Sequence, residues 1–184
     1  MANPELRELP LAGAFHYRPT PHNDHRGSFS RLTCNQFLAD ADLNTNWVQT
    51  NLSRTKTRGT VRGMHYQTDP FAEIKLLTCL SGRIFDVLVD LRPTSATYGQ
   101  WTSVELDGAT ADTVYIPVGI AHGFQTLSDD VTLHYSHSAA FHPDHQAGVS
   151  YSDPHIGIRW PLRVSGVSER DANLPPLKTL EEAL

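Results

Sequence analysis

Two arginine–glycine pairs, a histidine and a lysine lie close together between Arg58 and Lys75. An arginine such as Arg62 suits a planar anion, because its guanidinium group forks onto carboxylate or phosphate oxygens. His65 follows in an apolar and aromatic run and is a candidate base. A glycine inside a strand pattern, here Gly63, indicates a bulge or the close approach of another group to the backbone. The stretch therefore predicts one wall of an active site; a surface hairpin with scattered charges is the alternative.

The elements that must position these residues are mostly strands, because from Trp47 onward the apolar residues recur with period two. We predict strands over Trp47–Leu52, Val61–Gln67 with a bulge at Gly63, Ile74–Leu80, Arg83–Leu91, Trp101–Leu106, Thr113–Ile116, Gly123–Leu127 and Val131–Ser138. Short connections predict two hairpins, one across Ser81-Gly82 and one across residues 128–130. The stretch from Phe141 to Pro161 is predicted to be loop, and short helices are expected over 36–43 and Leu177–Leu184.

Many short strands with little helix predict a sandwich, a jelly roll or a barrel. Lys75 alternates in phase with Leu77 and Cys79, so the lysine points into the interior unless the register is shifted by one residue. A lysine in an apolar interior is costly unless it serves chemistry. On the next strand Phe85, Val87, Val89 and Leu91 share one face.

The length of 184 residues predicts a single domain, with an N-terminal arm at about 1–46, a barrel at about 47–162 and a C-terminal tail at 163–184. The net charge of -5, without any basic block, argues against nucleic acid as a partner. Two distant cysteines, Cys34 and Cys79, indicate free thiols in a reducing cytoplasm. The sequence begins without the apolar region of a secretory signal and contains no membrane-length apolar run. We therefore expect a cytoplasmic protein with no membrane partner.

A second informative segment runs from Ile116 to Leu127, where a proline, a glycine and His122 resemble the second motif of the cupins. Many cupins bind a metal at this position, and His65, His122 and Glu73 are the candidate ligands. Arg62 and Lys75 would place positive charges beside such a cation, so we predict neither a metal nor another cofactor.

Segments along nearly the whole chain resemble the dTDP-4-dehydrorhamnose 3,5-epimerase family of nucleotide-sugar epimerases. They include Asp24–Gly27, Gln49–Asn51, Arg62–Gln67, Lys75-Leu76, Gly82–Val87, Val89–Arg92, Ala121–Phe124, Ser152–Pro154 and Ser168–Asp171. The resemblance implies an all-β, cupin-type jelly-roll β-barrel with short flanking helices. It also implies a homodimer in which an N-terminal strand is exchanged across the interface.

The same resemblance implies the reaction. The substrate would be a nucleotide-diphospho-4-keto-6-deoxyhexose, with dTDP-4-dehydro-6-deoxyglucose as the leading candidate, epimerised at C3, C5 or both through an enolate. His65 matches the base, Asp171 its hydrogen-bonding partner, Lys75 the group that stabilises the enolate, and Tyr135 the acid on the opposite face. The implied substrate contacts are Arg26, Gln49, Asn51, Arg62, His122, Phe141, Gln146 and Arg170. The remaining histidines, His137 among them, are expected at the surface or in loops.

Departures from the family pattern concern the substrate contacts. Arg31 and Gln146 replace glutamates, and Phe141 replaces a tyrosine, so its ring can stack but cannot donate a hydrogen bond. The nucleotide base and the number of epimerised carbons therefore stay open. The alternatives are a 3-only or 5-only epimerase, a keto-isomerase, or a sugar-binding cupin without catalysis; the set of four catalytic residues argues against the last.

Overall fold

The computed structural model describes residues 3 to 181, which form mainly short antiparallel strands. The strands are Leu6–Glu8 (β1), Phe15–Tyr17 (β2), His22–Asp24 (β3), Gly27–Phe29 (β4), Gln49–Thr55 (β5), Val61–Gln67 (β6), Lys75–Ser81 (β7), Arg83–Asp90 (β8), Trp101–Asp107 (β9), Thr113–Ile116 (β10), Ile120–Thr126 (β11), Val131–His137 (β12) and Gln146–Gly148 (β13). The helices are Asn35–Asp40 (α1), Glu169–Ala172 (α2) and Leu177–Glu181 (α3), and a 3-10 turn spans Pro143–His145.

The structure has a strand at each predicted position, but several strands begin or end at other residues than predicted. The strand predicted at Trp47–Leu52 lies at Gln49–Thr55, and β11 begins at Ile120 rather than Gly123. The stretch predicted as loop after Phe141 contains β13. Residues 182–184 of the predicted C-terminal helix lie outside the described residues.

Two sheets enclose the core. The first has the strand order β1-β2-β10-β7-β12-β5, and the second has the order β13-β6-β11-β8-β9. Their facing sides share one apolar cluster, which includes Leu77 and Leu133 from the first sheet and Ile84, Leu88 and Phe124 from the second. The predicted jelly roll is therefore present, and its interior is a packed core where apolar side chains are nearly fully removed from water.

The outer side of the second sheet is covered by the C-terminal part of the chain. Val87 and Val89 are buried there against residues such as Ile156 and Leu177, with Trp160 at the margin. The predicted shared face of β8 is confirmed, and it is covered by the C-terminal part of the chain rather than by the facing sheet. The same C-terminal part of the chain contains α2, which lies next to β6.

Both predicted hairpins are wrong. The sequence predicts that β7 pairs with β8, but β7 lies between β10 and β12 while β8 lies between β11 and β9 in the other sheet. β11 and β12 are separated in the same way. A turn signal marks a reversal of the chain, and it does not say whether the next strand lies beside the previous one or across the core from it. Here the short connections are corners between the sheets.

The two corners pack against each other. The Arg83 N–H donates to the Ser128 hydroxyl at 3.0 Å, and the Ser81 hydroxyl donates to the Asp130 carbonyl at 3.1 Å. Gly82 has a φ of 72°, and a Cβ there would lie 2.6 Å from Ser128 Oγ. The glycine is therefore needed both for the backbone conformation and for the close approach.

Candidate active site

A cavity of about 740 Å³ opens at one end of the barrel. It is lined by all the predicted site residues except Arg26, namely Gln49, Asn51, Arg62, His65, Lys75, His122, Tyr135, Phe141, Gln146, Arg170 and Asp171. Residues from both sheets, from the loop after β12 and from α2 thus converge on one space.

A bulge in β6 brings Arg62 and His65 to the same cavity. On a regular strand, residues three apart would point to opposite faces. The pairing of β6 with β11 shifts register, so that Gly63 and Met64 stand opposite the single residue Gly123. The extra residue turns the strand and confirms the predicted bulge at Gly63.

The bulge depends on two glycines whose backbones touch. Gly63 has a φ of 130°, and a Cβ there would overlap the Gly123 backbone and lie 2.9 Å from the His122 carbonyl oxygen. A Cβ on Gly123 would lie 2.5 Å from Met64 Sδ and 2.7 Å from the Arg62 carbonyl oxygen. Neither position has room for a side chain.

His65 and Asp171 form a hydrogen-bonded pair at the cavity wall. His65 Nε2 lies 2.9 Å from Asp171 Oδ1, and the other carboxylate oxygen accepts the Gly63 N–H at 3.1 Å. The Ser168 side chain caps α2 by accepting the Asp171 N–H at 3.1 Å, which fixes the start of this short helix. The predicted hydrogen bond between His65 and Asp171 is confirmed. With Nε2 held by a carboxylate, Nδ1 is the ring nitrogen available to a substrate.

The pair has a defined charge state. Burial alone would raise the pKa of Asp171, but hydrogen bonds from His65 and the Gly63 N–H outweigh burial and hold this pKa well below its usual range. Burial lowers the pKa of His65, although Asp171 acts in the opposite direction. A neutral imidazole beside an ionised carboxylate is the state that a general base requires.

Lys75 points inward, as its alternation with Leu77 predicts. Its ammonium group donates to the His65 carbonyl oxygen at 3.0 Å and lies 3.2 Å from Glu73 Oε1. Burial lowers the pKa of Lys75, and the charge of Glu73 opposes this change. An ammonium group has three donors, so one remains for a ligand in the cavity.

Tyr135 comes from β12, in the sheet that faces His65. Its ring stacks on His137 at a centroid distance of 5.9 Å and meets His122 edge-on at 6.1 Å. Burial raises the pKa of Tyr135 well above its usual range, so the phenol keeps its proton at neutral pH. A molecule between the two sheets would therefore have a base on one side and a proton donor on the other.

The predicted contact residues surround this centre. Arg170 donates to the Gln146 side-chain oxygen at 2.7 Å and also approaches His65 Nε2 at 2.8 Å. Phe141 is about half exposed, with a relative accessibility of 52%, and its N–H donates to Gln49. The structure thus places an exposed aromatic ring and a guanidinium group at the mouth.

Arg26 is the exception. It lies in the exposed hairpin of β3 and β4, where it pairs with Asp24 at 2.6 Å and lines a separate pocket. These two strands pair with each other and with no further strand in residues 3–181. Within one chain, the predicted contact of Arg26 with the substrate site is absent.

The sequence is similar to a family model and to named proteins along most of its length. The family model for dTDP-4-dehydrorhamnose 3,5-epimerase matches residues 8–179. The chain belongs to this family. A dTDP-4-dehydrorhamnose 3,5-epimerase of Sinorhizobium fredii is 39% identical over 94% of this chain and 89% of its own length. A dTDP-4-dehydrorhamnose 3-epimerase of Streptomyces niveus is 38% identical over 90% of this chain and 80% of its own length.

A solved structure is similar over nearly the whole chain. The crystal structure of NovW, a 4-keto-6-deoxy sugar epimerase from the novobiocin biosynthetic gene cluster of Streptomyces spheroides, superposes with a TM-score of 0.94 at 36% identity. The match covers 99% of this chain and 92% of that one. The predicted family and the cupin-type jelly-roll fold are confirmed.

In this member of the dTDP-4-dehydrorhamnose 3,5-epimerase family, the sequence prediction missed His137 as a cavity residue and Asp86 as the partner of His122. His137, expected at the surface or in a loop, is buried and lies 2.9 Å from Glu73. Asp86 is fully buried and lies 2.6 Å from His122. The signal was present for His137, because it lies two residues after Tyr135 on β12. Residues two apart on a strand share a face.

The described residues contain neither a metal-binding cluster nor a membrane-spanning helix. Among residues 3–181, no group of three or more His, Cys, Asp and Glu side chains is placed to hold a metal ion. In the same part of the chain, no helix combines the length and the apolar character needed to cross a membrane.

Proposed function

We propose that the protein epimerises dTDP-4-dehydro-6-deoxyglucose at C3 and C5. The observation that carries the proposal is the pairing of His65 with Asp171 on one sheet, with Lys75 and Tyr135 on the facing sheet of the same cavity. Family membership supports the substrate class, since the relatives are named for dTDP-4-dehydrorhamnose.

The first step is removal of a proton next to the 4-keto group. Such protons are acidic because the electron pair left on carbon delocalises onto the carbonyl oxygen. His65 Nδ1 takes the proton, and the Asp171 carboxylate stabilises the imidazolium that forms. The free N–H of Lys75 donates to the enolate oxygen, where negative charge develops, so that its stabilisation is specific to the reacting state.

The second step returns a proton to the other face of the same carbon. The Tyr135 phenol donates it, the enolate electron pair re-forms the bond from carbon to hydrogen, and the carbonyl is restored. The raised pKa of Tyr135 keeps the phenol protonated until the enolate forms. Inversion follows because the base and the acid act from opposite sides.

A 3-epimerase is the second candidate. The relative from Streptomyces niveus carries that name and is 38% identical, against 39% for the 3,5-epimerase from Sinorhizobium fredii. The two activities share the first step at C3 and differ in whether the sugar is then presented with C5 at His65.

Incubation with dTDP-4-keto-6-deoxyglucose in D2O tests both candidates. Deuterium at C3 and C5, located by NMR, supports the double epimerase, and deuterium at C3 alone supports the narrower enzyme. His65→Ala is the control, which we expect to abolish exchange at every carbon while the affinity for dTDP is retained. Absence of exchange with the unaltered protein would contradict the proposed reaction.

The proposed assembly is a homodimer with exchanged N-terminal strands. It is supported by the isolated β3–β4 hairpin and by exposed apolar side chains at Phe29, Val48 and Leu52, which would otherwise face water. Exchange would carry Arg26 into the cavity of the partner subunit. The proposed setting is the cytoplasm, supported by the free thiols of Cys34 and Cys79.

A further inference from the structure

A chain of polar contacts runs along the cavity wall from its mouth inward. The Phe141 N–H donates to Gln49 Oε1 at 2.9 Å, and the Gln49 amide donates to Asn51 Oδ1 at 3.3 Å. Asn51 Nδ2 then lies 3.2 Å from His137 Nε2. The chain thus reaches a histidine for which the proposed reaction has no use.

From His137 the contacts continue to Lys75. His137 Nδ1 lies 2.9 Å from Glu73 Oε2, and Glu73 Oε1 lies 3.2 Å from Lys75 Nζ. Gln67 also donates to Glu73 Oε2, at 3.3 Å. The side chains of all three ionisable residues are nearly buried, with exposures of 11% for His137, 9% for Glu73 and 8% for Lys75.

The direction of the hydrogen bonds defines the state of His137. The Asn51 amide nitrogen can only donate, so His137 Nε2 must accept. The Glu73 carboxylate can only accept, so His137 Nδ1 must carry the proton. Only the neutral Nδ1–H tautomer satisfies both neighbours. In this form His137 adds no charge, and the ion pair of Glu73 and Lys75 stays balanced.

We propose that His137 is a positioning residue for Lys75 and acts through Glu73. The inference rests on the proposed function, in which Lys75 stabilises the enolate. A buried carboxylate needs hydrogen bonds to both oxygens. With Oε2 held by His137 and Gln67, Oε1 is directed at the ammonium group, whose second contact is the His65 carbonyl oxygen. The third N–H is thereby aimed at the reacting carbonyl.

Without the Nδ1–H donor of His137, Glu73 Oε2 would keep only the hydrogen bond from Gln67. The carboxylate would then move toward the ammonium group, which is its remaining cation, and draw Lys75 away from the enolate oxygen. Small displacements of a catalytic group can cost about 10²-fold in rate. Formation of the enolate would be the step that slows.

His137 also stacks on Tyr135, so a merely structural role must be separated from the proposed one. His137→Phe keeps an aromatic ring against Tyr135 and removes the donor. His137→Asn removes the ring and keeps an N–H on the atom corresponding to Nδ1, within reach of Glu73. The two variants therefore separate the contribution of the ring from that of the N–H donor.

The experiment measures deuterium exchange into substrate and formation of inverted product, with dTDP affinity and the unfolding midpoint as controls. We expect His137→Phe to lower exchange and inversion together, by about 10- to 100-fold. We expect His137→Asn to lose no more than about threefold, because it restores the donor. dTDP affinity should fall less than the rate in both, since the substitutions remove the contact from Asn51 to His137 but leave Phe141 and Arg170 at the mouth unchanged.

Other results overturn the inference. Normal exchange with reduced inversion in His137→Phe would mean that the residue acts on Tyr135 instead. A larger loss of exchange and inversion in His137→Asn than in His137→Phe would show that His137 acts through the packing of its ring and not through its N–H donor. If His137→Phe does not fold, Glu73→Gln provides the test, because it breaks the ion pair without changing shape and should give the same joint loss. An unaltered protein without any exchange would refute the proposed function itself, whereas an active protein insensitive to these changes would refute only the role of His137.

Discussion

At the scale of single residues, the neighbours of His65 set its basicity. Asp171→Asn removes the carboxylate that raises the pKa of His65, so this pKa should fall further below its ordinary value. The variant should therefore lose rate by about 10²-fold at its plateau, less than His65→Ala, because orientation and basicity are lost but the imidazole remains. Its activity should persist to lower pH than that of the unaltered protein. Profiles of kcat/KM against pH measure both effects, and an unchanged plateau would contradict the role of Asp171.

Tyr135 is predicted to serve only the second half of the reaction. Tyr135→Phe removes the hydroxyl and keeps the volume of the ring, so packing against His122 and His137 should survive. With His65 and Lys75 intact, the substrate should still exchange deuterium from D2O while inverted product falls by about 10²-fold or more. Phe141 has no hydroxyl and cannot replace it. Full epimerase activity in this variant would place the proton donor elsewhere.

At the scale of elements, the β6 bulge is the feature that shapes the site. Gly123→Ala would place a methyl group 2.5 Å from Met64 Sδ and 2.7 Å from the Arg62 carbonyl oxygen. We expect the free energy of unfolding to fall by about 1–3 kcal/mol and activity to fall with it, because β6 must move. Gly166→Ala is the matched control, since its methyl group would meet only Thr60 Oγ1 at 3.8 Å. Urea unfolding compares the two variants; equal stability would show that the glycine contact does not constrain β6.

At the scale of the whole molecule, the position of Arg26 links the dimer to activity. If the partner subunit's cavity uses Arg26, the single variants Arg26→Ala and His65→Ala should each be poorly active. Dimers mixed from the two variants would contain one site with both defects and one intact site. Mixing should therefore restore activity toward half of the normal value per mixed dimer. Light scattering checks the dimer, and no recovery on mixing would mean that Arg26 does not act across an interface.

The sequence alone determined the strands, the inward direction of Lys75 and the bulge at Gly63, because these follow from period two and from the steric needs of glycine. Motif resemblance added the proposed role of His65 as the base and its contact with Asp171. His137 was expected at the surface or in a loop, although its position two residues after Tyr135 on one strand puts both side chains on the same face. That pattern does not say which side chain His137 meets.

Only the tertiary structure decided the rest. Whether β8 lies beside β7 or across the core depends on contacts between distant segments, and a short connection permits both arrangements. The pairing of His137 with Glu73 joins β12 to the chain before β7, and the separation of Arg26 from the cavity depends on where the N-terminal hairpin stands. Local periodicity fixes which face of a strand a side chain occupies, whereas the packing of the two sheets fixes what that side chain meets.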